Sequence, residues 1–183
     1  MTKLSREEAI EILNSYVDNG NLKKHMYSVE AAMRFYARRF GEDEDKWGIA
    51  GLLHDADWEK YPPEHPKVIC ADLEKRGVDP EIIHAISCHG HQFGVPRETR
   101  MDHALFACDE ITGMVMTTVL VRPDRFEGLE ARSVIKKMKD KGFAAGVNRD
   151  DVREGAESLG IPLEEHIGNI IEAMRGIKTE LGF

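Results

Sequence analysis

The sequence predicts an all-α fold, and three observations carry that prediction. Apolar residues recur at intervals of three and four through most of the chain. Capping signals and stopping glycines bracket those periodic stretches. Only Thr117 to Arg122, with Val119, Leu120 and Val121, has the β-branched character of a strand, and one such run does not make a sheet.

The elements follow in order. Ser5-Arg6-Glu7-Glu8 is a capping box, with Ala9, Ile12 and Leu13 behind it at helical spacing. A second helix is expected from about Leu22 to Phe40, with Val29, Ala32, Met33 and Tyr36 as its apolar stripe and Gly41 as its stop. A third runs from about Glu44 to His54. After the break at Tyr61-Pro62-Pro63, a fourth spans about Glu64 to Lys75 and ends at Gly77. Asp79-Pro80 caps a fifth, which carries Ile82 to His89. Gly90 to Arg100 reads as a loop, and a sixth helix covers about Asp102 to Met116. Beyond Arg122-Pro123 the pattern weakens, leaving short helices at Arg132 to Lys139 and Arg149 to Leu159 and a last one at Pro162 to Leu181.

The 183 residues suit a single domain, 1–183, with a substantial core. A net charge of −8 works against binding a nucleic acid polymer. No apolar run approaches the roughly 20 residues of a membrane span, so no membrane partner is expected. The N-terminal stretch to Glu11 is charged and has no signal-peptide core. Cys70, Cys88 and Cys108 fit neither a disulfide framework nor a zinc knuckle, and read as reduced, mostly buried thiols of a cytoplasmic protein. The unusual feature is histidine: five of the eight fall between His54 and His91, a clustering that needs a cause.

Helical spacing decides which polar residues face inward. His25 shares a face with Val29 and Ala32, His65 with Val68 and Ile69, His89 with Ile82, Ala85 and Ile86, and Asp109 with Leu105 and Phe106. His54-Asp55 ends the apolar run Ala50-Gly51-Leu52-Leu53. Unpaired buried charges are costly, and one divalent cation compensates the whole group. Imidazole and carboxylate ligands without cysteine suit Mn, Fe, Co, Ni or Zn rather than a structural zinc. His166 also faces inward, beside Leu163, Ile170 and Ala173, but nothing else marks it and it reads as a core histidine. His84 is expected at the surface and His103 in a structural role.

His25, then Gly51-Leu52-Leu53-His54-Asp55, then Ala107-Cys108-Asp109-Glu110 resemble the H…HD…D signature of the HD superfamily of metal-dependent phosphohydrolases, over about Leu22 to Met116. The resemblance implies an HD-domain bundle of antiparallel helices, with a core motif region at about 22–116 and a helical extension over about 117–183. It implies a metal held by His25, His54, Asp55 and Asp109, with His54 and Asp55 as the catalytic pair. Glu64-His65-Pro66 and Ala85-Ile86-Ser87-Cys88-His89 resemble the extra histidine positions of two-metal members. His65 and His89 would then hold a second ion with Asp55 bridging; a mononuclear site with both histidines behind it stays open. The chain departs from the HD-x-G-K run of many members. Trp58 stands at the lysine position; Lys60 is the nearest substitute, but it reads first as a surface lysine. Asp57 orients a ligand histidine, activates water, or is a solvated turn residue.

The activity implied is hydrolysis of a phosphomonoester or phosphodiester, in a nucleotide or other small phosphorylated substrate, with one or two divalent transition-metal ions. Outer phosphate oxygens need cations. The candidates are Lys60, His91, Arg97, Arg122 and, in the basic segment Arg132 to Lys141, Lys136 and Lys137. His91 is also an alternative to His89 as ligand. The basic segment reads first as the solvated face of an amphipathic helix. Two other classes use the same ligands: a di-iron oxygenase of HD type and a catalytically silent metal-binding module. A homo-oligomer is left open.

Overall fold

The Ser5 hydroxyl accepts the Glu8 amide and the Glu8 carboxylate accepts the Ser5 amide, so the capping box opens α1 (Arg6–Tyr16) as its sequence requires. The computed structural model describes residues 3–183; Met1 and Thr2, the start of the charged N-terminal stretch, lie outside the described residues. The other helices are α2 (Gly20–Phe40), α3 (Glu44–Leu53), α4 (Lys67–Lys75), α5 (Pro80–Ser87), α6 (Arg100–Leu120), α7 (Ala131–Met138), α8 (Arg149–Ser158) and α9 (Leu163–Gly176). A 3-10 turn, His91–Phe93, interrupts the loop between α5 and α6. The fold is all-α, with no strand among the described residues.

The two long helices, α2 and α6, pack together at the centre, with α3 laid on α2, α8 along α6 and α9 against both. Two close approaches set the positions that matter. A Cβ at Gly51 would meet the Val29 carbonyl at 2.9 Å, so the α3 backbone touches α2 one turn before His54. A Cβ at Gly155 would come within 2.6 Å of the Ala107 Cα, which seats α8 on α6 two residues from Asp109. Buried Glu30 takes the Arg6 and Arg34 guanidiniums at 2.6 and 2.9 Å and so fastens α1 to α2.

Three boundaries differ from expectation, each for a local reason. Helix α6 runs to Leu120 rather than Met116 and takes in the start of the β-branched run: the Thr117 and Thr118 hydroxyls donate back to Gly113 O and Met114 O, while Thr118 and Val119 are buried. Helix α4 starts at Lys67 rather than Glu64, because the residue before a proline avoids the helical region and His65 precedes Pro66. Asp57 Oδ2 accepts the Val68 and Ile69 amides and supplies the missing cap. Helix α5 stops at Ser87, and the His89 ring, not a further turn of backbone, binds the Ile86 carbonyl. His65 and His89 therefore lie off the helices that were expected to carry them.

Candidate metal centre

Helices α2, α3 and α6 bring together His25, the His54-Asp55 pair at the end of α3, and Asp109. His25 Nε2 lies 3.0 Å from Asp109 Oδ1 and 3.8 Å from Asp55 Oδ2. His54 Nε2 lies 3.4 and 3.6 Å from the same two atoms. The other oxygen of Asp55, Oδ1, faces His65 Nε2 at 3.2 Å and His89 Nε2 at 3.4 Å. Two groups result, His25/His54/Asp55/Asp109 and Asp55/His65/His89, with Asp55 common to both.

Each histidine is anchored through Nδ1. His54 donates to Gly51 O at 2.8 Å, His89 to Ile86 O at 2.6 Å and His65 to Asp57 Oδ1 at 2.6 Å. His25 Nδ1 stands 3.3 Å from the Thr112 hydroxyl, whose own proton goes to Asp109 O. These acceptors put the proton on Nδ1 and leave Nε2 as a lone pair, the arrangement in which an outer partner orients a metal-binding imidazole. His54 Nε2 is buried with no hydrogen-bond partner. His65 and His89 turn their Nε2 atoms toward each other at 3.3 Å. Lone pairs that face one another and two carboxylates repel unless a cation stands among them. The groups present therefore fit a divalent metal, and their nitrogen and oxygen donors could hold one.

The ionisation of the site says the same. Burial works against charge at His54, but Asp55 and Asp109 outweigh it and push the imidazole up to about 9. Burial would raise Asp55 and Asp109, yet their histidine neighbours hold both well below the usual carboxylate range. Where no metal is bound, protons must supply the positive charge.

A family model described as HD domain matches residues 22–114. The chain belongs to the HD domain family. It thus falls in a superfamily of metal-dependent phosphohydrolases, and the matched span holds all six residues of the two groups. The chain is also 33% identical over 134 residues to a ribonuclease Y of Oleidesulfovibrio alaskensis; the aligned part is 69% of this chain but 23% of that protein. No solved structure matches.

Around this HD site, the other expected residues divide. Asp57 is fully buried and holds His65, which makes it an orienting group and not a solvated turn residue. Arg97 and His91 lie on the Phe106 ring, at 3.8 and 5.1 Å from its centroid, one helical turn from Asp109. Both donate to Glu154, at 2.8 and 2.9 Å. His91 thus pairs with α8 and does not replace His89. Lys60 turns away, to Ser15 O at 3.0 Å and Asp18 at 3.6 Å. Arg122 spends its guanidinium on the Arg125 and Glu127 carbonyls, beyond the end of α6 and roughly 16 Å or more along that helix from Asp109. Lys136 and Lys137 are exposed on α7, whose buried side is Val134 and Met138, and Lys137 covers the Phe143 ring. His166 is a core residue: it donates to Ala107 O at 2.9 Å and accepts from the Tyr36 hydroxyl at 2.5 Å. His84, expected at the surface, is half-buried against Asp102.

Several residues at the site escaped the sequence. Phe93 packs against the His65 and His89 rings, and Trp58 stands edge-on to His65 at 5.3 Å, 49% exposed. Together with Pro63, His65 and Val95 they line a groove of about 460 Å³. Glu110 binds the Asn148 amide, and burial beside Asp109 pushes its carboxyl up to about 7. Asp151 lies with His91 and Glu154 in one group of ligand atoms within 4.8 Å of one another, and burial raises its carboxyl against the opposing His91 and Arg97. Asp151 and Glu154 share a face of α8 by their spacing of three, a signal the sequence did contain.

Proposed function

We propose that this HD domain protein hydrolyses a phosphoester of a nucleotide or similar small phosphorylated metabolite at a centre of two divalent transition-metal ions. One observation carries the reading: Asp55 presents one oxygen to each of two histidine sets. His25, His54, Asp55 and Asp109 would hold one ion, and Asp55, His65 and His89 the other, from among Mn, Fe, Co, Ni and Zn. Such ions, when bound, neutralise phosphoryl charge and lower the pKa of bound water.

The chain's own residues supply the rest. Asp57 fixes the His65 ring, and the Gly51 and Ile86 carbonyls fix His54 and His89. The groove between Trp58 and Phe93 suits a flat organic group such as a base, which aromatic faces hold by stacking. Arg97 and His91, set on the Phe106 ring one helical turn from Asp109, suit outer phosphate oxygens. Because α8 contributes Asp151 and Glu154 beside them, residues 117–183 work with the 22–116 region as one unit.

A second reading is cleavage of an RNA phosphodiester, favoured by the likeness to a ribonuclease Y and opposed by the net charge of −8. Metal-stripped protein, reconstituted with Mn, Co, Ni or Mg, tests both against nucleoside monophosphates, small phosphodiesters and a short RNA. Oxygen-independent release of phosphate from the small compounds is expected. Cleavage of RNA alone would favour the second reading. Bound metal with no turnover on any of them would overturn both.

A further inference from the structure

We infer a second, sulphur-containing metal site where α5 meets α6, built from His84, Cys88 and Asp102. His84 and Cys88 are four residues apart at the end of α5 and so face the same way. Asp102 lies in the first turn of α6, where it forms a capping box with Thr99. His84 Nδ1 stands 3.1 Å from Asp102 Oδ2 and 4.0 Å from Cys88 Sγ, and one ligand atom from each of the three lies within 4.8 Å of the others. Ligand atoms around a tetrahedral zinc, bonded at about 2.0–2.3 Å, stand roughly 3.3–3.6 Å apart. The two separations from His84 lie on either side of that range and the Cys88–Asp102 side is under 4.8 Å, so shifts of up to about 1 Å would close the triangle on an ion.

A second, independent observation points the same way. Asp102 is fully buried, and its Oδ1 has no hydrogen-bond partner. Oδ2 already accepts the Glu98 and Thr99 amides. A hydrogen bond from His84 adds a third donor to Oδ2 and leaves Oδ1 bare, and a buried carboxylate oxygen without a partner is costly. Cys88, also buried, has only a 3.5 Å contact to the Ala85 carbonyl and the long contact to His84. A cation engages all three side chains at once.

Nitrogen, sulphur and oxygen together suit zinc or cobalt. On binding, the Cys88 thiol gives its proton to solvent and Sγ enters as thiolate. His84 is partly exposed and offers the route of entry, with water completing the coordination. The ion ties the end of α5 to the start of α6, and so fixes the segment that carries His89, His91 and Arg97. The site's existence does not depend on the proposed hydrolysis.

The main centre has no sulphur ligand, so the two sites separate spectroscopically. Metal-free full chain titrated with Co²⁺ should develop a thiolate-to-cobalt charge-transfer band, in wild type and in Asp55→Asn alike. Cys88→Ser should abolish the band, and His84→Ala should weaken apparent Co²⁺ affinity at this site at least ~10-fold. No band in wild type, or a band that survives in Cys88→Ser, overturns the site. Should Cys88→Ser not fold, zinc-loaded wild type decides the matter by X-ray absorption. A sulphur neighbour at about 2.3 Å supports the site. Nitrogen and oxygen neighbours alone would mean that His84 and Asp102 are simply hydrogen-bonded.

Discussion

The two groups that share Asp55 are built by different means. His25, His54 and Asp109 are delivered by long or buried helices whose apolar stripes already fix their direction. His65 sits in a turn and His89 just past a short helix, and each is aimed by one strong hydrogen bond, to Asp57 and to Ile86 O. The first group has helix packing behind its Nδ1 hydrogen bonds, and the second relies on its hydrogen bonds alone. The first should therefore tolerate loss of a single hydrogen bond, and the second should not.

Asp55 belongs to both groups, so its removal should have the largest effect. Asp55→Asn keeps the size and removes the charge. Turnover should fall by at least ~10³-fold, on the order of 4 kcal/mol in the barrier, with both ions bound more weakly. Circular dichroism should remain helical, because replacing a buried charge by its amide is tolerated when packing is unchanged. Substantial turnover in this variant, on any substrate the wild type hydrolyses, would sink the shared-carboxylate centre.

The next effect concerns a histidine of neither group. Burial lowers His166 to about 4, against an ordinary value near 6.5. Its folded pKa lies below its unfolded one, so its stabilisation is complete above pH 6.5 and is lost as pH falls toward 4. That loss is on the order of 3 kcal/mol. Denaturant unfolding of wild type and His166→Gln at several pH values should show a steeper acid decline in wild type. Parallel curves would mean that His166 does not stay neutral in the fold.

Asp57→Asn tests the contrast itself. The amide side chain would be a poorer acceptor for His65 Nδ1 and a weaker cap for Val68 and Ile69. Affinity for one ion should drop about 10–100-fold while the other, at the His25 side, is kept. Metal content measured after dialysis should then approach one ion per chain. Equal loss of both ions would erase the distinction between the groups.

The same distinction explains what was legible in the sequence. The helices around His25 and Asp109 follow directly from periodicity, and the capping box at Ser5 and the stop at Gly41 stand where expected. His65 and His89 were read as inward-facing helical positions. They are buried, but through the turn before Pro66 and through a ring-to-carbonyl bond, and period counting describes neither. The loop from Gly90 to Arg100 hid Phe93 and the Arg97–Glu154 pair, because a contact to α8 some sixty residues away leaves no local pattern. The strand-like run at Thr117 made the sixth helix look shorter than it is; α6 continues to Leu120 with Thr118 and Val119 buried in the bundle.

The smallest expected effect separates two neighbours, Trp58 and Lys60. The HD-x-G-K comparison leaves Lys60 as the nearest substitute for the phosphate-holding lysine, although it reads first as a surface lysine. Its Nζ instead reaches the end of α1, at the Ser15 carbonyl and Asp18, on the protein surface. Exposed pairs of this kind contribute little, and a long side chain held there is not available to the metal centre. Trp58 occupies the position where that lysine was expected, touches the His65 ring and walls the groove beside it. Lys60→Ala should change kcat/KM by less than about 2-fold, within what surface substitutions ordinarily do. Trp58→Ala should raise KM for a base-bearing substrate by roughly 10-fold, the lower end of what a stacked base loses when its aromatic partner is removed. Its kcat and metal content should change little, since Asp57 still anchors His65. Steady-state kinetics on a nucleotide and on a simple aliphatic phosphate would show the effect as a difference between substrates. A large loss in Lys60→Ala, with Trp58→Ala unaffected, would return the phosphate role to the lysine and leave the aromatic groove without one.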